Sequence, residues 1–104
     1  MPADAPVLDT LADINTTSIK HSNLMPRELM LARIAALVAV DAPPASYLAN
    51  AGAATESGVT EQDVQEVMIA VAPVVGTAKV VSAGGNMMRA LGFAIKVAEA
   101  DLST

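Results

Sequence analysis

The chain has no cysteine and no tryptophan, and only one histidine, one tyrosine and one phenylalanine among its 104 residues. The missing cysteine excludes disulfides, thiol nucleophiles and Cys-based metal sites. Thiol peroxidase and disulfide-reductase chemistry go with them, since both need a thiolate attacker. With Tyr47 and Phe93 as the only aromatics, a core has to be built from Ala, Val, Leu, Ile and the six methionines. Basic residues are scarce: six Lys and Arg stand against eleven Asp and Glu, for a net charge of −5. Such a chain lacks the electrostatic footprint expected of a nucleic-acid binder or a protein held to an anionic membrane. Residues 1–10 carry Asp4 and Asp9 and do not read as a secretory leader. The longest apolar run, 29–40, is too short to span a bilayer and contains Arg33. The expectation is a cytoplasmic protein with no membrane or nucleic-acid partner.

What the chain does have is apolar residues, 53% of the total. Alanine makes up roughly a fifth of the residues, far above ordinary usage. Alanine-rich helices bury little area each, so additional burial between sister subunits is expected.

The punctuation is helical throughout. Residues 1–6 read as a loose arm. Val7, Leu8, Leu11 and Ile14 suit a short amphipathic helix, and the polar stretch 15–23 (NTTSIKHSN) reads as a loop. Pro26 and Glu28 open the next helix, with proline in its first turn and an acid at the positive end of its dipole. Residues 29–40 are apolar on nearly every face, the mark of a buried central helix. Asp41 is placed to cap a third helix, which starts at Pro43–Pro44 and stops at Gly58 as its left-handed terminator. Thr60 and Asp63 form a capping box for a fourth, with Val64, Val67, Met68 and Val71 at helical spacing; Pro73 should end or kink it. A fifth runs from about Thr77 to Asp101. Val80, Gly84, Met87, Leu91, Ala94 and Ala98 form its seam, and Gly84–Gly85 imply close approach of another helix. The reading is an all-α protein with no clear strand: an arm, short helix and loop over 1–24, then a helical domain over 25–104.

The pieces PREL at 26–29, ESGVT at 56–60, EV at 66–67 and VVGTAKV at 74–80, in that order and spacing, resemble the carboxymuconolactone decarboxylase family. That family includes the alkylhydroperoxidase-D-like proteins. The resemblance covers 25 to about 92 and implies an all-helical domain of about five helices that works as a homo-oligomer, trimer or hexamer. It also implies where chemistry would sit. Counting back from Gly58, the redox branch's C-x-x-C-x-x-x-H falls on Pro43, Ser46 and Asn50, and the decarboxylase branch keeps its histidine at the place of Asn50. The family acid on the preceding helix falls near Met30 or Leu31, with Glu28 the nearest carboxylate. The decarboxylase proline after the second glycine turn falls on Ala78. None of these positions carries the family's reactive group.

Four residues are therefore the candidate pocket: Ser46, Tyr47, Asn50 and Glu28. Ser46 and Asn50 are four apart and share a helix face, with Tyr47 beside them. They could hydrogen-bond a ligand or simply satisfy backbone groups. Glu28 could be a pocket acid or a first-turn carboxylate serving the dipole. His21 reads as a solvated loop residue, Glu66 as an ion-pair partner for Arg27, Arg33 or Arg89, and Asp63 as solvated. Lys79 should be exposed, with Asn86 and Arg89 on the wet face of the last helix. No cofactor and no metal site is expected. Two functions follow. One is a non-catalytic oligomeric binding or scaffold module. The alternative is a thiol-independent enzyme acting on a small lactone or carboxylate between helices. A cavity on which Ser46, Tyr47 and Asn50 converge would favour the enzyme; side chains capped by backbone would favour the module.

Overall fold

The described residues form five α-helices: α1 (Pro6–His21), α2 (Pro26–Ala39), α3 (Pro44–Glu56), α4 (Glu61–Val75) and α5 (Thr77–Leu102). The computed structural model describes the backbone of residues 5–102 and the side chains of 5–92 and 100. Residues 1–4 of the expected arm, and the side chains of the seam positions Ala94 and Ala98, lie outside what it describes. Among the described residues there is no strand.

Local signals set most of the boundaries. Pro26 stands in the first turn of α2, and the backbone N–H of Met25 donates to Glu28 Oε1 at 3.0 Å. After α3 the chain closes as a Schellman motif: Gly58 N–H bonds Thr55 O at 3.1 Å, Val59 N–H bonds Ala54 O at 3.0 Å, and Gly58 has φ +84°. Val59 then packs on the cluster containing Ala54. The capping box of α4 is complete, with Thr60 N–H on Asp63 Oδ2 at 2.9 Å and Asp63 N–H on Thr60 Oγ1 at 3.1 Å. Helix α4 runs through Pro73 and stops two residues later, where Gly76 turns with φ +91°.

Three expectations are corrected. The polar stretch 15–23 is not a loop as far as His21, because α1 continues through it. Proline at the first turn, Thr10 Oγ1 bonded to Pro6 O at 2.8 Å, and Lys20 and His21 at the negative end hold this helix locally. Asp41 does not cap α3. It takes the left-handed position after α2 (φ +55°), and its carboxylate accepts from Ser82 Oγ at 2.5 Å. The seam of α5 is rotated: Ala83 and Ala90 are the buried residues, and Leu91 is exposed.

The core lies where α2 packs on α4 and α3, and α3 on α5. One cluster joins Val38, Ala42, Tyr47, Ala83 and Ala90; a second joins Met30, Ile34 and Ala54. Polar bonds lash α5 to the α2–α3 turn: Lys79 Nζ donates to Ala39 O at 2.9 Å and Asn86 Nδ2 to Ala42 O at 3.1 Å. Asn86 is thus half-buried at a helix contact and not on the wet face. Helix α1 packs least on the body: Val7, Leu8, Leu11, Ile14 and Ile19 are all more than half exposed.

Close approach at Gly84 is not made within the chain: a Cβ there would meet nothing within 4 Å. Gly84→Ala is therefore expected to stabilise the fold by about 0.5–1 kcal/mol through helix propensity. A lower melting temperature in thermal denaturation would show that the position is crowded after all.

Candidate functional site

Helix α3 carries three of the four candidate residues, and they separate. Tyr47 lies one turn into the helix, and Asn50 follows it by three residues. Both line an open cleft of about 570 Å³ between α2, α3, α4 and α5. Its walls are mainly apolar: Ile34 and Leu37 from α2, Val64 and Met68 from α4, and Met87 and Leu91 from α5. Gly84 leaves room along the α5 side. Ser46 does not line it. The carbonyl of Ser46 accepts from Asn50 Nδ2 at 2.9 Å, so one of the pair serves the backbone of the other. Glu28 is also absent from the cleft. Its carboxylate closes the first turn of α2, as a dipole-facing acid should.

Tyr47 is the unusual group. It is 92% buried by its 8% exposure, and its hydroxyl is the sole buried side-chain polar atom without a hydrogen-bond partner among the described residues. Burial, followed by the negative charge of Asp41, pushes its pKa above the ordinary phenol value. As it is the only tyrosine, its ultraviolet titration reports on it alone. The phenolate transition is expected above that of free tyrosine. A folded pKa raised in this way contributes stability below the unfolded value of about 10 and loses it as pH climbs through the folded value. Unfolding in base should therefore accompany the transition. Tyr47→Phe removes the orphaned hydroxyl and is expected to raise stability by about 1 kcal/mol, read as a higher melting temperature.

A second, shallower groove of about 350 Å³ lies between α1 and α2, open to solvent, and shares Leu37 and Asn50 with the cleft. Arg33 lines it, bonded to Asn15 Oδ1 and, at 3.2 Å, to Ser18 Oγ. The sequence reading missed this group. Its one available signal was a cation inside an otherwise apolar run. Glu66 takes none of the expected ion pairs: Arg27 binds Asp63 at 2.5 Å, Arg33 binds α1, and Arg89 donates to Asn86 at 2.9 Å. Asp63 is half-buried at the α2–α4 contact; the Thr60 backbone N–H and then Arg27 draw its pKa below the usual carboxylate value. His21 is exposed in the last turn of α1. Among the described residues no three His, Asp or Glu side chains come together as a metal site would require. No described helix is long and apolar enough to cross a membrane.

A model of the carboxymuconolactone decarboxylase family matches residues 5–85, and the chain belongs to that family. The match takes in α1 to α4 and the first part of α5, as far as residue 85. No curated protein and no solved structure matches the chain.

Proposed function

We propose that this member of the carboxymuconolactone decarboxylase family is a cytoplasmic, non-catalytic homo-oligomeric binding module, a trimer or hexamer that takes a small apolar molecule in the cleft beside Tyr47. The observation that carries the reading is the cleft itself: an apolar space between four helices with Tyr47 on its wall, beside Asn50, the one position of the family's reactive set that reaches it. Apolar clefts with a few polar groups are the usual form of small-molecule sites. The split outcome for the three α3 residues fits binding better than catalysis. Asn50 is engaged by backbone, Ser46 points its carbonyl to Asn50, and the Tyr47 phenol is held protonated.

Surface area supports assembly. The chain exposes 7276 Å², whereas a compact monomer of 10.6 kDa exposes about 5,500 Å². Its radius of gyration is 15.0 Å against about 13 Å for a compact domain of this length. The excess, roughly 1,800 Å² per chain, is about twice the ~800 Å² that one partner contributes to a standard interface.

The test combines light scattering with binding of 1-octanol followed by amide NMR. A multiple of 10.6 kDa, together with shifts at Val64, Met68 and Leu91, is the expected result. A monomer with no octanol shifts would overturn the proposal. The second reading, a thiol-independent enzyme on a small lactone or carboxylate, is favoured by the placing of Tyr47 and Asn50 on one inter-helix cleft. Turnover of a carboxylated lactone that disappears in Tyr47→Phe would replace the module with the enzyme.

A further inference from the structure

Among the described residues Arg33 has no counter-charge. Both groups that hold its guanidinium, the Asn15 amide oxygen and the Ser18 hydroxyl, are neutral. Among the described residues no carboxylate lies within ion-pair distance of it. The chain is not short of acids, with eleven against six Lys and Arg, and Arg27 has found one. Arg33 is also half-buried. A cation drawn partly out of water and matched only by neutral acceptors is favourably placed to receive an anion.

The surroundings define which anion. The groove that Arg33 lines holds about 350 Å³, with Leu11 and Ile14 of α1 on one side and Ala36 and Leu37 of α2 on another. Leu11 and Ile14 remain more than half exposed, so their apolar faces are unspent. Inorganic phosphate or sulfate would leave that apolar wall without a partner. The bonds to Asn15 and Ser18 fix the plane of the fork and leave its other N–H donors uncommitted, the arrangement that suits a planar carboxylate.

We propose that the space under α1 is a seat for a small apolar monocarboxylate, its carboxylate on Arg33 and its aliphatic part against Leu11, Ile14 and Leu37. The site is separate from the cleft beside Tyr47, although Leu37 and Asn50 border both. Occupation joins α1 to the body of the molecule, because the ligand touches α1 and α2 at once.

Octanoate and its neutral counterpart 1-octanol are the probes, titrated into the full chain with amide NMR and calorimetry. Octanoate is expected to shift Leu11, Ile14 and Ala36, and to bind roughly tenfold or more tighter there than octanol. Asn15→Asp supplies an internal counter-charge while keeping the tie between α1 and α2. It is expected to weaken octanoate binding roughly tenfold or more with no loss of melting temperature. Arg33→Gln should do the same to binding. Octanol shifts at Val64 and Met68 should survive both changes, which keeps the fate of this seat distinct from that of the larger cleft. Undiminished octanoate binding in Asn15→Asp, octanoate shifts confined to Val64, Met68 and Leu91, or no octanoate binding at all would each overturn the proposal.

Discussion

Val81→Glu combined with Met88→Glu is expected to break the proposed assembly into 10.6 kDa monomers that keep their helical content. The two positions are seven apart on α5, so they lie on one face two turns from each other. Both are largely exposed, at 68% and 72%, although both are apolar. Gly84 lies between them on the same face, with open space above it in the single chain. Burying a Val or Met side chain contributes about 1.5–3 kcal/mol, so covering this stripe with a sister copy is worth several kcal/mol for each subunit. Carboxylates in that interface reverse the sign, since each would be desolvated without a partner. The fold itself should tolerate the pair, because neither side chain is in a core cluster. Light scattering with circular dichroism checks both halves. An unchanged particle mass would move the interface elsewhere, to α1 or the Ile69–Val74 side of α4.

Helix boundaries were legible wherever the chain carries its own punctuation. Pro26, the Pro43–Pro44 pair, Gly58, the Thr60–Asp63 box and Gly76 act through bonds within a few residues, so their meaning is written locally. The second half of α1 was not legible, because after Ile14 the helix is polar or β-branched, with Ile19 its one apolar residue. What secures it beyond its own turns is Arg33, fifteen and eighteen residues away from Ser18 and Asn15. Asn86 was misplaced for the same reason. Its partner is the Ala42 carbonyl, forty-four residues distant, and nothing near Asn86 announces it. The candidate site divided along this line. The capping role of Glu28 was available from its first-turn position, whereas the departure of Ser46 from the cleft depends on how far α3 is rotated against α5. The seam of α5 shows how small that rotation needs to be. Val80, Met87 and Leu91 have helical spacing, yet the residues that bury are Ala83 and Ala90, which let α5 come close to α3.

Met30→Glu is expected to unfold the protein near neutral pH and leave it folded in mild acid. The family resemblance places an acid at Met30 or Leu31, so this substitution asks whether the lost carboxylate can simply be put back. Met30 is 3% exposed and packs with Ile34 and Ala54. Half-buried apolar side chains pack around them: Leu29, Val59, Val64, Val67 and Met87. An ionised carboxylate has no partner in that company and costs several kcal/mol to bury. The group would shift its pKa upward and stay protonated instead. A folded pKa above the unfolded value of about 4.3 leaves stability intact below that value and removes it as pH rises through the folded one. A domain of this size has about 5–10 kcal/mol in hand, so a loss of several at neutral pH leaves it mostly unfolded. Melts followed at about pH 4 and pH 7 measure the difference, with Met30→Leu as the volume-matched control expected to cost under about 1.5 kcal/mol. Equal melting temperatures at the two pH values would mean that the carboxylate reaches water or a cation, and that the family's acid position is still open to the cleft. The expected collapse would mean that this position now serves the core that holds α2 against α3 and α4, and that chemistry cannot be restored there by one substitution.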